Sequence, residues 1–369
     1  MLQNRLRNLK NNLLNIPGWR TSRRLVVFES DDWGMIRMAS KEAFFRLEKK
    51  GYEVYHSFFD QYDALETNED IEQLIEVLSR FRDKHGQVAK FTMNMVMANP
   101  DFEKIKKNKF IEYSYESFQS TLSRYSDRDK VMQLYKEGIA AGVFRMQFHG
   151  REHVHINRWI TKLRSGDQLY LDAFKEEMYA LEGGHLDAMA MFESTDISTV
   201  SISIKEGLRL FEDTWGFPST SVIAPCYTWG DETEREWAAA GVKYIQGARA
   251  QKKSYIGKDQ TTVSRHYMGE QSKYGMIYMI RNVSFEPVTA AQKDWVNSAL
   301  KEVDTAFRWG KPAVISTHRI NYIGALLPEN RKRNLHLLFL FLETLLKKYP
   351  DVEFVSSDEL GQLISGDKL

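Results

Sequence analysis

Cysteine is almost absent from this 369-residue chain. The single Cys226 excludes an intrachain disulfide and any zinc cluster built on cysteine. Proline is scarce at 8 residues, and glycine adds only 22, which excludes a collagen-like or low-complexity chain. Charge of one sign is lacking as well. Lys and Arg number 51 against 50 Asp and Glu, so no overall field draws the chain to an anionic polymer or membrane surface, and no nucleic-acid partner is expected. The longest apolar run, Leu337 to Leu342, falls far short of the roughly 20 residues that cross a bilayer, so no transmembrane segment is expected. The basic start, Met1 to Asn8, is not followed by the apolar stretch of a secretory signal, and the expected location is cytoplasmic.

What the chain has in quantity is aromatic mass: 21 Phe, 17 Tyr and 8 Trp within a hydrophobic content of 43%. That is ample for a large core. Short apolar runs alternate with helical patterns, which predicts βα units around a parallel sheet. Eight runs read as strands: Leu25 to Phe28, Val88 to Val96, Val143 to Phe148, Ser221 to Ala224, Val242 to Ile245, Met276 to Val283, Pro312 to Ser316 and Asp351 to Val355. Between them, Ser40 is placed to cap a helix that ends near Gly51, and Thr67 and Asp70 are spaced as a capping box for a helix over 70–82. Asp231 and Glu234 are spaced as a second box. The stretch 157–211 is long, charged and helical in pattern, and reads as a helical insertion in an otherwise single domain spanning 1–369. The expected fold is an α/β class (β/α) barrel, irregular, with seven or eight strands and helical insertions. A doubly wound open sheet is the competitor, since periodicity does not register closure.

In a parallel barrel the chemistry sits at the C-terminal ends of strands. Four strand ends here carry capable residues. The first is Asp31-Asp32-Trp33-Gly34, where two adjacent carboxylates repel unless a cation relieves them; the plain alternative is a helix cap with a solvated neighbour. The second is His149-Gly150-Arg151-Glu152-His153, with His155 just beyond. Two histidines at i and i+4 can meet one metal ion, and three of the chain's nine histidines lie here. The same letters spell an inverted zincin signature, which demands a helix, whereas this histidine follows an apolar strand. The third is Pro225-Cys226-Tyr227-Thr228-Trp229-Gly230, suited either to a rigid pocket wall or to a packed turn. The fourth is Ser316-Thr317-His318-Arg319, followed by Asn321-Tyr322, where a histidine can serve as general acid at neutral pH.

Taken in order, these segments resemble the polysaccharide deacetylase superfamily, the carbohydrate esterases with a NodB homology domain. The paired Asp followed by Gly, the two His at i and i+4, the Pro-x-Tyr loop and the apolar strand ending in His all have counterparts, and the likeness spans most of the chain. The resemblance implies that Asp32, His149 and His153 hold a divalent metal, zinc in most of the family. It implies Asp31 as general base and His318 as general acid. The reaction implied is hydrolysis of an N-acetyl or similar acyl amide on an amino sugar or other carbohydrate substrate. Trp33, Tyr227, Trp229, Tyr322 and Arg319 lie beside these groups and are expected to contact that substrate, since flat apolar faces with a polar handle suit sugar rings.

The sequence also departs from the pattern. Ala224 stands at the third motif's arginine, with Arg281 and Arg319 as alternative stand-ins. The fourth motif has no clear counterpart, although Asn282 to Glu286 lies at the corresponding strand end. Gly150 replaces a hydroxyl residue, and about 70 residues separate His153 from the next motif. Two other readings remain open at this level: a glycosidase on a related barrel using Asp31 and Glu286, and a non-catalytic carbohydrate-binding protein with a vestigial site.

Overall fold

Strand β1, Arg24–Trp33, opens on the run Leu25-Val26-Val27-Phe28, whose β-branched and aromatic residues suit a strand, and it is buried almost throughout. In the computed structural model, which describes residues 9, 11–179, 181, 197–253 and 262–366, it pairs with three other strands of a nine-stranded sheet. The others are β2 (Phe91–Val96), β3 (Phe144–Gly150), β4 (Ser221–Ile223), β5 (Tyr244–Gly247), β6 (Ile277–Ile280), β7 (Val283–Ser284), β8 (Ala313–His318) and β9 (Val352–Phe354). Their order is β6-β5-β4-β3-β2-β1-β8-β7, with β9 paired to the start of β1, and every pairing is parallel.

The two ends of that order are consecutive in the chain. Only Arg281 and Asn282 separate β6, which pairs with β5, from β7, which pairs with β8. The Arg281 amide donates to Gly247 on one side at 2.9 Å, and the Asn282 amide donates to Val314 on the other at 3.1 Å. The Asn282 side chain extends the second contact like an extra peptide, accepting from the Val314 amide at 2.8 Å and donating to the Pro312 carbonyl at 2.9 Å. One segment therefore closes the sheet on itself. This selects the irregular barrel over the open doubly wound sheet. Counting β6 and β7 as one position and leaving β9 outside the ring gives seven positions. The single strand expected over Met276 to Val283 is split because its two halves pair on different sides.

Helices cover the outside. Residues 68–79 form one of them, and Thr67 and Asp70 make the expected reciprocal box. Ser40 caps the helix Lys41–Lys49 as expected. Asp231 and Glu234 do not form a box: Gly230 is the cap, the Asp231 carboxylate pairs with Lys253 and Lys273, and Glu234 accepts from Trp229 and Tyr278. Phe28 faces this layer, stacked on Phe91 at 5.1 Å and edge-on to Phe341 at 6.0 Å. A buried aromatic of this kind contributes roughly 1.5–3 kcal/mol.

Within 157–211, two helices, Ile156–Arg164 and Gln168–Lys175, pack in a small cluster around Trp159 and Phe174. The helix Ile197–Trp215 instead lies against β3. A Cβ on Gly207 would stand 2.7 Å from the Phe148 ring. Residues 180 and 182–196 of that stretch lie outside the described residues. Two small antiparallel pairs, Ala98–Pro100 with Tyr115–Ser117 and Ala250–Lys253 with Thr262–Arg265, extend the rim and were not read from the sequence. No helix among the described residues is long and apolar enough to cross a membrane.

Candidate metal and catalytic site

Two adjacent strand residues normally point to opposite faces. At the end of β1 the register against β2 shifts between Ser30 and Trp33, and Asp32 adopts a left-handed backbone with φ 75°. Such a conformation costs on the order of 1–3 kcal/mol in a residue with a side chain and persists only where the surroundings enforce it. Here it brings both carboxylates to one site. Gly34, the glycine of the same motif, has φ 82°, and a Cβ there would stand 2.6 Å from the Val96 carbonyl oxygen; its amide donates to Glu66 at 3.0 Å.

Asp32, His149 and His153 offer ligand atoms that all lie within 4.8 Å of one another, and all three residues are buried. His149 Nδ1 is 2.9 Å from the Ile223 carbonyl oxygen. A carbonyl only accepts, so Nδ1 carries a proton, and Nε2 is turned to Asp32 at 3.3 Å. His153 Nε2 lies 3.6 Å from the same Asp32 oxygen. Burial pushes the His153 imidazole down to about 3, which keeps it neutral. Burial would raise Asp32, but the hydrogen bond with His149 and the nearby charges of His318 and Arg37 hold it well below the usual carboxylate range. Two imidazole nitrogens and a carboxylate converging on one buried point are a donor set that fits a divalent cation of the zinc type, with the carbonyl contact fixing His149 from behind.

Asp31 faces a different set. Arg281 grips it with two nitrogens, at 2.6 and 2.7 Å, and reaches Glu29 with a third at 2.6 Å. Asn94 donates to Asp31 at 2.8 Å and is itself paired with Gln246 through both amide groups. Burial would raise the Asp31 carboxyl, and Arg281 outweighs it, so the group is held below its ordinary value. Glu29 is the reverse case: burial prevails over Arg281 and raises it.

His318, at the end of β8, keeps 27% of its side chain exposed. Its Nδ1 donates to Glu286 at 2.6 Å, and its Nε2 lies 3.7 Å from Asp31. Asn321 donates to the other Glu286 oxygen at 2.7 Å. Burial would lower the imidazole, but Glu286, then Asp31 and Asp32, hold it well above its ordinary value. Glu286 therefore orients a histidine with one oxygen and is engaged by Asn321 through the other.

The structure decides between the two candidate arginines. Arg281 is on Asp31; Arg319 is wholly buried elsewhere, holding Asp63 and Glu66 and donating to the Met35 carbonyl. Arg319 thus has no surface for substrate. Neither do three of the expected aromatic contacts. Trp33 turns to the helical layer because of the register shift, donating to Ser30 at 2.9 Å and standing edge-on to Tyr135. Trp229 donates to Glu234 at 2.9 Å and packs on Trp237. Tyr322 shares a hydrogen bond with Thr317 at 2.8 Å and packs on Phe91. All are at most 1% exposed. Tyr227 differs: it sits on a turn in which both Cys226 and Tyr227 have positive φ, is half-buried, and accepts from Arg281 at 3.2 Å.

Glu152, inside the zincin-like letters, points away and pairs with Arg151 at 2.6 Å, while accepting from Ser203. His155 caps the following helix. His149 and Gly150 end β3, and the residues from 151 to 155 form a loop rather than the helix the zincin letters demand. Sequence reasoning missed Glu29, Asn94 and Gln246. Their only signal was polarity inside otherwise apolar strand runs.

No family model matches the chain, and no curated protein matches it. Solved structures similar to it include polysaccharide deacetylase and CE4-family members at low identity. A Mycobacterium smegmatis protein described as a polysaccharide deacetylase aligns over 95% of this chain and 93% of its own, at 11% identity and a TM-score of 0.45. A CE4-family pseudoenzyme from Bacillus anthracis aligns over 94% and 67%, at 9% identity and 0.40. Puue allantoinase aligns over 94% and 93%, at 12% identity and 0.46.

Proposed function

We propose that this protein is a metal-dependent deacetylase that hydrolyses an N-acetyl or similar acyl amide on an amino sugar or sugar-containing substrate. One observation carries the reading: the adjacent carboxylates of β1 are divided between two tasks. Asp32 faces His149 and His153 across one buried point, while Asp31 is ionised under Arg281 and stands 3.7 Å from a histidine held protonated by Glu286.

Asp32, His149 and His153 would hold the ion, which when bound polarises the acyl carbonyl and acidifies water. Asp31 accepts the proton of the attacking water. Arg281 fixes the direction of that carboxylate and keeps it deprotonated. His318 Nε2 gives its proton to the departing amine nitrogen, and Glu286 Oε1 stabilises the imidazolium before transfer. Tyr227, on the Arg281 side, is positioned to border the sugar.

The test is Asp31→Asn assayed on N-acetylglucosamine and its oligomers, with metal content measured in parallel. The variant should retain the metal and lose at least about 100-fold in kcat, the lower end of the general-base range. Equal hydrolysis by variant and wild type removes Asp31 from the reaction.

A further inference from the structure

Past the end of β1 the backbone of residues 34–36 is buried but belongs to no helix or strand. Buried peptide groups outside regular structure need partners of another kind. Three buried side chains supply them here. Glu66 accepts from the Gly34 amide at 3.0 Å. Asn99 donates to the Gly34 carbonyl and accepts from the Ile36 amide, both at 2.9 Å. Arg319 donates to the Met35 carbonyl at 2.7 Å.

Glu66 and Arg319 are also bound to each other, at 2.8 Å, and both are wholly buried. Glu66 takes a further donor, the Tyr135 hydroxyl, at 2.5 Å. Arg319 sends its remaining nitrogens to Asp63 at 3.1 and 3.2 Å, and Arg37 lies 3.4 Å from the same carboxylate. Two acids thus face two cations.

The position of this pair in the chain gives it a consequence for the site. Glu66 grips the turn that directly follows Asp32, and Arg319 is the residue directly after His318. That turn carries two left-handed residues, Asp32 at φ 75° and Gly34 at φ 82°, a conformation that lasts only where the surroundings enforce it. The aim of the Asp32 carboxylate depends on that turn. The ends of β1 and β8 therefore meet through one ion pair.

We propose that Glu66 and Arg319 are positioning residues: a buried strut that sets the turn holding Asp32 and, through the adjoining peptide, the direction of His318. The inference rests on the deacetylase reading and adds to it two residues that act through others.

The experiment takes the full-length protein through equilibrium dialysis against zinc, kcat and KM on N-acetylglucosamine oligomers, and denaturant unfolding. Glu66→Gln should weaken zinc at least about 10-fold, the lower end of what a residue behind the ligands commands. It should also lower kcat about 10- to 100-fold, as a small misplacement of reacting groups does, with KM unchanged. Combining Glu66→Gln with Arg319→Met removes both charges, so the unfolding midpoint should recover from that of the single variant while zinc affinity and kcat stay low. A merely structural pair would not give that split, and the double variant carries the test if the single one does not fold. Arg331→Met, which breaks the similarly buried Arg331–Asp70 pair, should lower the midpoint and leave zinc affinity and kcat alone.

Wild-type zinc affinity and kcat in Glu66→Gln overturn the proposal. So does recovery of both together with stability in the double variant, or an equal loss in Arg331→Met. If the wild type binds zinc but leaves N-acetylated sugars intact, while Glu66→Gln still weakens zinc, the deacetylase reading fails and the strut stands. Hydrolysis by the wild type with an unaffected Glu66→Gln fails the strut alone.

Discussion

Arg281 meets Asp31 as a two-pronged ion pair, at 2.6 and 2.7 Å, across 250 positions of sequence. The arginine comes from the joint that closes the barrel, so one residue closes the ring with its backbone amide and holds the proposed base ionised with its side chain.

Arg281→Met removes the cation shared by Asp31 and Glu29. Asp31 loses what holds it below its ordinary value, so the acidic limb of the pH–rate profile should move to higher pH. Leaving buried carboxylates unpaired should also cost about 3–5 kcal/mol of stability. A pH series of kcat/KM together with denaturant unfolding measures both; an unmoved acidic limb separates Arg281 from Asp31 ionisation.

Glu286→Gln removes the anion that outweighs burial at His318. The imidazole pKa should fall, because burial then acts with less opposition. An acid with a lowered pKa loses its proton earlier as pH rises, so the alkaline limb should move to lower pH, with kcat down roughly 10- to 100-fold at neutral pH. NMR titration of the His318 ring follows the shift directly.

His153→Ala takes one of three donors from the proposed ion. Metal affinity should drop by at least about 100-fold, more than the 10- to 100-fold typical of a residue behind the ligands. Equilibrium dialysis against zinc is the measurement. Full occupancy in the variant would place the ion elsewhere.

Trp229→Ala should act on folding. The side chain is buried, donates to Glu234 and packs on Trp237, so its loss should cost about 3–5 kcal/mol and leave KM near the wild-type value in whatever fraction folds. A raised KM with undiminished stability would return Trp229 to the substrate.

The sequence by itself determined the features that depend on near neighbours. The strand–helix alternation, the Thr67–Asp70 box and the pairs Asp31–Asp32 and His149–His153 were legible because each is a matter of residue type at short spacing. Grouping them into one site took only the rule that parallel strands deliver their ends to one face. The tertiary structure decided what spacing cannot encode. Which way Trp33 points follows from a register shift, and the choice of Arg281 over Arg319 follows from ring closure. Glu29, Asn94 and Gln246 acquire meaning only as the polar frame around Asp31. In each case the deciding energy is that of a buried charge or hydrogen-bonding group finding its partner, and that partner lies in another strand.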